Sequence, residues 1–254
     1  FLSATSSEAR MNEAVVRGVR GTANYSSDRG GNWKKLNVGM KLGQNSVIRT
    51  APGSSVDLFL GDNGPVVRVT EDTTLGIDKL TVDQGAGSEK IIETQLDLRN
   101  GRILGNVKHL AAASKYEVKT PQGVAGIRGT RYDIRADGSV TVIDGQVVVV
   151  YIVNGQASTV TVNAGQTSTP PRVAGGTPPV VQTPVEVIRA DNQMIDEAGR
   201  GGVIEGPGTP TVVLTVEPIK EALNPGVEKT FQPELIAAAQ ETPAESRILP
   251  IDFQ

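Results

Sequence analysis

Between Val15 and about Thr169 the chain repeats one theme: a short β-branched run closed by glycine or by an Asn/Asp turn. Val15 to Tyr25 is the first such unit and is followed by a turn over Ser26 to Gly31. Ser55-Val56-Asp57-Leu58-Phe59-Leu60 alternates with period two ahead of Gly61-Asp62-Asn63-Gly64, a pairing of strand and turn signals that reads as a hairpin. Val66 to Val69, Thr74 to Ile77 and Gln95 to Leu98 are shorter strand candidates. Strands this short and this closely spaced imply an all-β sandwich, barrel or solenoid rather than an α/β fold.

Two internal regularities sharpen this picture. Gly145-Gln146, Gly155-Gln156 and Gly165-Gln166 fall ten residues apart, preceded by Asp144, Asn154 and Ala164. Asn-Gly and Asp-Gly supply the positive φ angles of a type I′ turn, so this segment is expected to fold as a three-strand meander. Val19-Arg20-Gly21-Thr22 returns as Ile127-Arg128-Gly129-Thr130. Its glycine suits a sharp bend, and Arg20 and Arg128 are expected to be structural arginines that staple a sheet edge through their planar forks, with ligand binding as the other possibility.

Composition removes several kinds of chemistry. The 254 residues contain no cysteine and one histidine, His109. Disulfides, thiolate nucleophiles and His-rich metal sites are therefore outside the reach of one chain. Lys+Arg 25 against Asp+Glu 28 gives a net charge of -3, which supplies no positive field for nucleic acid. Asp57, Asp62, Glu71, Asp72 and Asp78 are the carboxylates to weigh for glycan hydrolysis, and they fall at alternate strand positions and turn corners, where a solvated face is the ordinary reading. Gly85 to Lys90 lacks the spacing and ending of a phosphate-binding loop. The expectation is a non-catalytic chain with no cofactor and no metal.

No apolar run approaches the roughly 20 residues of a membrane helix. The opening Phe1-Leu2-Ser3-Ala4 has the look of a mature chain after removal of an export signal. Residues 1–14 read as an N-terminal arm, 15–169 as the β domain and 170–184 as an exposed Pro/Thr/Gly-rich linker, with Thr167 to Thr169, Thr177 and Thr183 as candidates for sugars. Residues 185–254 read as an extension. Within it lie a strand candidate at Val185 to Ile188, a short helix from Asp191 to Ala198, and a helix over 233–241.

That extension also holds TPTVVLTVEP, residues 209–218, a strand over 211–217 fenced by Pro210 and Pro218. Val212, Leu214 and Val216 share one face, and Thr211, Val213 and Thr215 the other. Such a strand needs a partner. It either folds back on its own body or completes the sheet of a neighbouring copy, with Val212, Val213, Leu214, Thr215 and Val216 as the assembly interface.

Val15-Val16-Arg17-Gly18-Val19, Trp33-Lys34-Lys35-Leu36-Asn37-Val38-Gly39 and Ile48-Arg49-Thr50-Ala51-Pro52-Gly53-Ser54-Ser55-Val56-Asp57-Leu58 occur in that order. Leu98 to Ile103, Tyr116 to Thr130 and Val142 to Val147 follow. Together these motifs resemble the FecR domain family over about Val15 to Thr169. The resemblance implies an exported all-β module, a twisted solenoid-like or sandwich-like wrap without catalysis. FecR regulators carry a cytoplasmic helical segment and a membrane helix ahead of this module, and neither is seen in this sequence, so the signalling role is not expected to carry over. The expectation is a structural subunit of an extracellular filament or surface assembly, a homopolymer that also meets envelope glycan. The alternative is a monomeric periplasmic or secreted module that binds envelope glycan or protein.

Overall fold

The computed structural model describes residues 10–84 and 90–200. The strand at 211–217, the helix at 233–241 and the Gly85–Glu89 stretch lie outside the described residues. The first strands in chain order are β1 (Arg10–Met11), β2 (Ala14–Arg20), β3 (Ala23–Ser26), β4 (Lys34–Lys35), β5 (Lys41–Leu42), β6 (Val47–Thr50), β7 (Ser55–Phe59), β8 (Val66–Val69), β9 (Thr74–Gln84) and β10 (Lys90–Asn100). After them come β11 (Arg102–Asn106), β12 (Lys115–Thr120), β13 (Gly123–Ile127), β14 (Arg131–Arg135), β15 (Val140–Asp144), β16 (Gln146–Val153), β17 (Gln156–Asn163), β18 (Gln166–Ser168), β19 (Val180–Gln182) and one helix, α1 (Val185–Gly199).

The strands form two sheets. Sheet A runs β17-β16-β13-β12-β10-β9-β6-β3-β4 with β1 added on β9, and sheet B runs β19-β18-β15-β14-β11-β8-β7-β2-β5. Both sheets advance in chain order from β6 onward, because the chain lays one or two strands in one sheet and then crosses to the other. The result is all-β, a flattened wrap with both the progression of a solenoid and the layers of a sandwich. Antiparallel pairs dominate, and β10 and β12 form a parallel pair.

Alternation along each strand fills the space between the sheets. Leu75, Ile77, Leu80, Leu96 and Leu98 from sheet A meet Val56, Leu58, Val67, Ile103 and Ile134 from sheet B. Tyr116 of β12 and Tyr132 of β14 bridge the layers, with hydroxyls 3.1 Å apart and ring centroids separated by 6.4 Å. Burial pushes both phenols above their ordinary pKa. Asn63 is buried in the 61–63 turn that closes the β7–β8 hairpin, and its side-chain amide donates to the Thr94 hydroxyl at 2.9 Å and the Thr81 carbonyl at 3.0 Å. Asn12 donates to the Asn63 side-chain oxygen at 2.7 Å and pins the link between β1 and β2.

Three expectations change. At Asn154-Gly155 both residues have positive φ, 49° and 77°, and β16 and β17 form the expected type I′ hairpin. At Gly145 and Gly165 the glycine alone is left-handed, and the chain there crosses between sheets. The segment is therefore a hairpin in sheet A flanked by β15 and β18 in sheet B, not a three-strand meander. Val185 to Ile188 is the first turn of α1 rather than a strand, with Pro184 as its N-cap at φ -55° and ψ 138°. Within 170–184, β19 pairs with β18, and the Thr167 hydroxyl meets those of Thr141 and Thr183 at 2.7 Å each, so two of these threonines are already hydrogen-bonded.

Gly105 shows how tightly the layers close. A Cβ there would sit 2.4 Å from the ring and hydroxyl of Tyr132, which is fully buried. Gly105→Ala is expected to lower stability by about 1–3 kcal/mol in urea unfolding, since the ring has no room to retreat. A loss within about 0.5 kcal/mol, the range of an ordinary surface change, would contradict this packing.

Candidate functional site

The outer face of sheet B carries charges where alternation would put water. Asp57, Arg68, Arg102 and Asp133 all point away from the core, on β7, β8, β11 and β14, beside the apolar Val66, Leu104 and Ile143. Asp57 and Arg68 are direct cross-strand partners. Arg102 lies opposite Arg135, a like-charge pair that is unfavourable by itself. Asp133, one alternation away, relieves it by holding Arg102 and standing 3.8 Å from Arg135.

Helix α1 covers this face. Ile188, Asp191, Ile195 and Ala198 follow a helical period and form its inward stripe. At about 1.5 Å per residue its fifteen residues span roughly 22 Å, enough to cross four or five strands. Ile195 and Ala198 close a small apolar cluster with Val66, Leu104 and Ile143. The acidic residues of the helix descend onto the arginines.

Arg68 forms a two-pronged contact with Asp57, Nε to Oδ1 at 2.7 Å and Nη2 to Oδ2 at 2.9 Å, and its Nη1 donates to Glu197 at 3.2 Å. Arg102 grips Asp133 with two bonds of 2.9 Å and donates also to Asp191 of the helix. Arg131 reaches Asp196 at 2.6 Å and the Asn192 carbonyl at 3.2 Å. Asp57, Asp133 and Asp191 are each 2% exposed. Charges this deeply buried are tolerated because each is paired and hydrogen-bonded.

Titration follows from the same geometry. Burial works against the charged form of Arg68 and Arg102, but their carboxylate partners outweigh it and raise both guanidinium pKa values. Burial, reinforced by the charge of Asp133, raises the Asp191 carboxyl against the pull of Arg102. Its Oδ2 has no hydrogen-bond partner among the described residues. Glu197 goes the other way: burial would raise it, and the hydrogen bonds from Arg68 and Gln193 lower it.

Where the helix ends, a cleft of about 820 Å³ opens, lined by Arg20, Arg68, Arg102, Arg135, Glu71 and Glu197 among others. Arg20 and Arg135 differ from Arg68 and Arg102. Each side chain is 49% exposed, with its nearest carboxylate at 3.9 Å and 3.8 Å, beyond hydrogen-bond reach. Their forks therefore face the cleft with donors available. Glu71 in the same wall is engaged with the Gly53 N–H at 2.7 Å, and Asp137 with the Ser139 N–H at 2.8 Å.

The residues singled out from sequence scatter. Arg20 lies at the cleft, at the corner where the chain passes from sheet B to sheet A, and Arg128 is exposed at the reverse corner. Gly21 and Gly129 make those bends with φ of 71° and 68°. Of the five carboxylates, Asp57 belongs to the buried ladder, Glu71 lines the cleft, Asp62 pairs with Lys90 at 2.8 Å, Asp78 with Lys119 at 3.2 Å, and Asp72 sits in a turn at φ 49°. They do not converge on one point. Val212, Val213, Leu214, Thr215 and Val216 lie outside the described residues. His109 is exposed, and no cluster of three or more metal-ligating groups occurs among the described residues.

Residues 46–148, from the start of β6 into β16, match the family model described as FecR protein. This stretch is a FecR domain. The FecR domain thus includes Asp57, Arg68, Arg102, Asp133 and Arg135, whereas α1 and β17 to β19 follow it. No curated protein sequence matches the chain. Two crystal structures from Parabacteroides distasonis, each named as a candidate anti-sigma factor, are similar to it. The first is 18% identical, with a TM-score of 0.42, over 58% of this chain and 64% of its own. The second is 16% identical, with a TM-score of 0.33, over 67% of this chain and 65% of its own. The chain thus spans slightly less than two thirds of each neighbour. No helix among the described residues is long and apolar enough to cross a membrane.

The lowered Glu197 carboxyl sets a pH dependence. A carboxylate held below its ordinary 4.5 contributes stability that is present above that value and lost as pH falls through the folded value. Glu197→Gln is expected to be less stable than the parent at neutral pH, with the gap narrowing in urea titrations carried out at acid pH, below the ordinary carboxylate value. An equal gap at both pH values would mean that the charge of Glu197 does not help hold the helix.

Proposed function

We propose that this chain is a non-catalytic recognition module of the cell envelope, acting in the periplasm or outside the cell, and that its cleft takes a carboxylate-bearing group of an envelope glycan. The observation that carries the reading is the pair of half-exposed forks, Arg20 and Arg135, facing one cleft of a FecR-domain body. Arginine presents its N–H groups in a rigid plane that matches a carboxylate with two bonds. Arg68 and Arg102 behind them are committed to Asp57, Asp133 and the helix, so they shape the wall rather than bind.

A second reading, a subunit of an extracellular assembly, is favoured by one separate observation. β17 ends sheet A without a charged residue or proline along it.

Thermal unfolding with uronate-containing oligosaccharides, beside neutral oligosaccharides of equal length, tests the recognition reading. A ligand at a hundred times its Kd stabilises by about 2.7 kcal/mol, which corresponds to roughly 5–10 °C in Tm for a domain of this size. That rise is expected with the acidic sugars only, and is expected to vanish in the Arg20→Ala, Arg135→Ala double variant. No rise with acidic sugar up to millimolar concentration, or an equal rise with neutral sugar, would overturn it.

A further inference from the structure

The four sheet edges are not alike. At the early end of the wrap, β4 is two residues long and both are exposed lysines, and β5 is two residues long and begins with Lys41. Short length and lysine are how natural sheets discourage a foreign strand. At the late end, β19 has three exposed residues. β17 is different: eight residues, QASTVTVN, every one paired with β16, with no charge, no proline and no glycine. Its other side meets no strand among the described residues.

The flanking surface is equally bare. Val148 and Ile152 on the outer face of β16 are 43% and 51% exposed, next to the threonines of β17. Sheet B hides the corresponding apolar residues, Val66, Leu104 and Ile143, beneath α1. On the inner side, Val162 is buried and Val160 packs against the core, so an added strand would place alternate residues at the rim of that core.

We infer that β17 accepts residues 211–217 of a second copy of this chain as an added strand. The segment TVVLTVE repeats the pattern of STVTV in β17, apolar residues on one face and threonines mainly on the other, and its prolines at 210 and 218 limit pairing to a length β17 can match. Chain length decides between copies. α1 ends against Arg68 of β8 and beside Arg20 of β2, on the outside of sheet B. From there the far side of β17 lies about 24 Å along the sheet and a further ~20 Å through the helix and sheet layers, about 45 Å around the surface. The eleven steps from Arg200 to Thr211 reach about 38 Å when fully extended. The tail of the same molecule falls short, whereas that of a neighbour does not. Donor and acceptor occupy different parts of the body, so the contact is head-to-tail and propagates. This inference is independent of the cleft and of any ligand there.

Hydrogen exchange at residues 156–163 of the full chain, followed from about 1 µM to several hundred µM, reads the pairing directly. The parent is expected to show at least tenfold slower exchange at the top of that range, reversed by dilution. Leu214→Pro, in the donor segment outside the body, is expected to exchange fast throughout. Fast exchange in the parent at every concentration would overturn the proposal, as would equal protection in Leu214→Pro. Protection that survives dilution would also overturn it, because the strand would then come from the same molecule.

Discussion

Two guanidinium forks on the outer face of a β-sheet, Arg68 buried and Arg102 largely covered, constrain the rest of this molecule. Arg68 and Arg102 project from the face of sheet B that lies away from the core, each fixed by a two-pronged contact to Asp57 or Asp133. Left under water these pairs would contribute little. Covered by α1 they must be fully satisfied, because removing one member of a buried ion pair typically costs about 3–5 kcal/mol. The helix completes the set by bringing Asp191 to Arg102 and Glu197 to Arg68. Its register on the sheet is thus set by charge as much as by Ile195 and Ala198, and sliding it by one turn would break both contacts.

The same cover makes the two faces of the wrap unequal. Sheet B is closed by the helix except where its end leaves the cleft with Arg20 and Arg135 available. Among the described residues sheet A stays open at its late end, at Val148, Ile152 and the uncharged edge of β17. One side therefore exposes guanidinium donors, and the other an uncharged strand edge. FecR-domain architecture supplies the frame for both, since residues 46–148 include the arginine ladder and run into β16.

Most of the frame was legible in the sequence because strand alternation and turn chemistry are local. The Ser55 to Val69 hairpin, the Asn154-Gly155 turn and the FecR motifs each declare themselves within a few residues. The ladder was not legible as a site. A charge at an outward strand position looks solvated, as Asp57 did, and nothing local tells that a helix more than a hundred residues later will bury it. Val185 to Ile188 misled for a related reason: two valines and an isoleucine favour a strand, and the helix they open is stabilised by docking rather than by propensity. At Gly145 and Gly165 the spacing repeated that of the true hairpin, but with one left-handed residue in place of two the chain turned toward the opposite sheet.

A double-mutant cycle on Arg102 and Asp191 is the most direct measurement of whether buried charge locks the helix to the FecR domain. Arg102→Met, Asp191→Leu and the double variant, unfolded in urea at neutral pH, isolate the coupling between sheet and helix from what each residue does alone. The account predicts a coupling of about 1.5 kcal/mol or more, with the double variant losing less than the sum of the singles. Additive losses, within about 0.5 kcal/mol, would contradict it and show that the Arg102–Asp191 contact does not hold the helix.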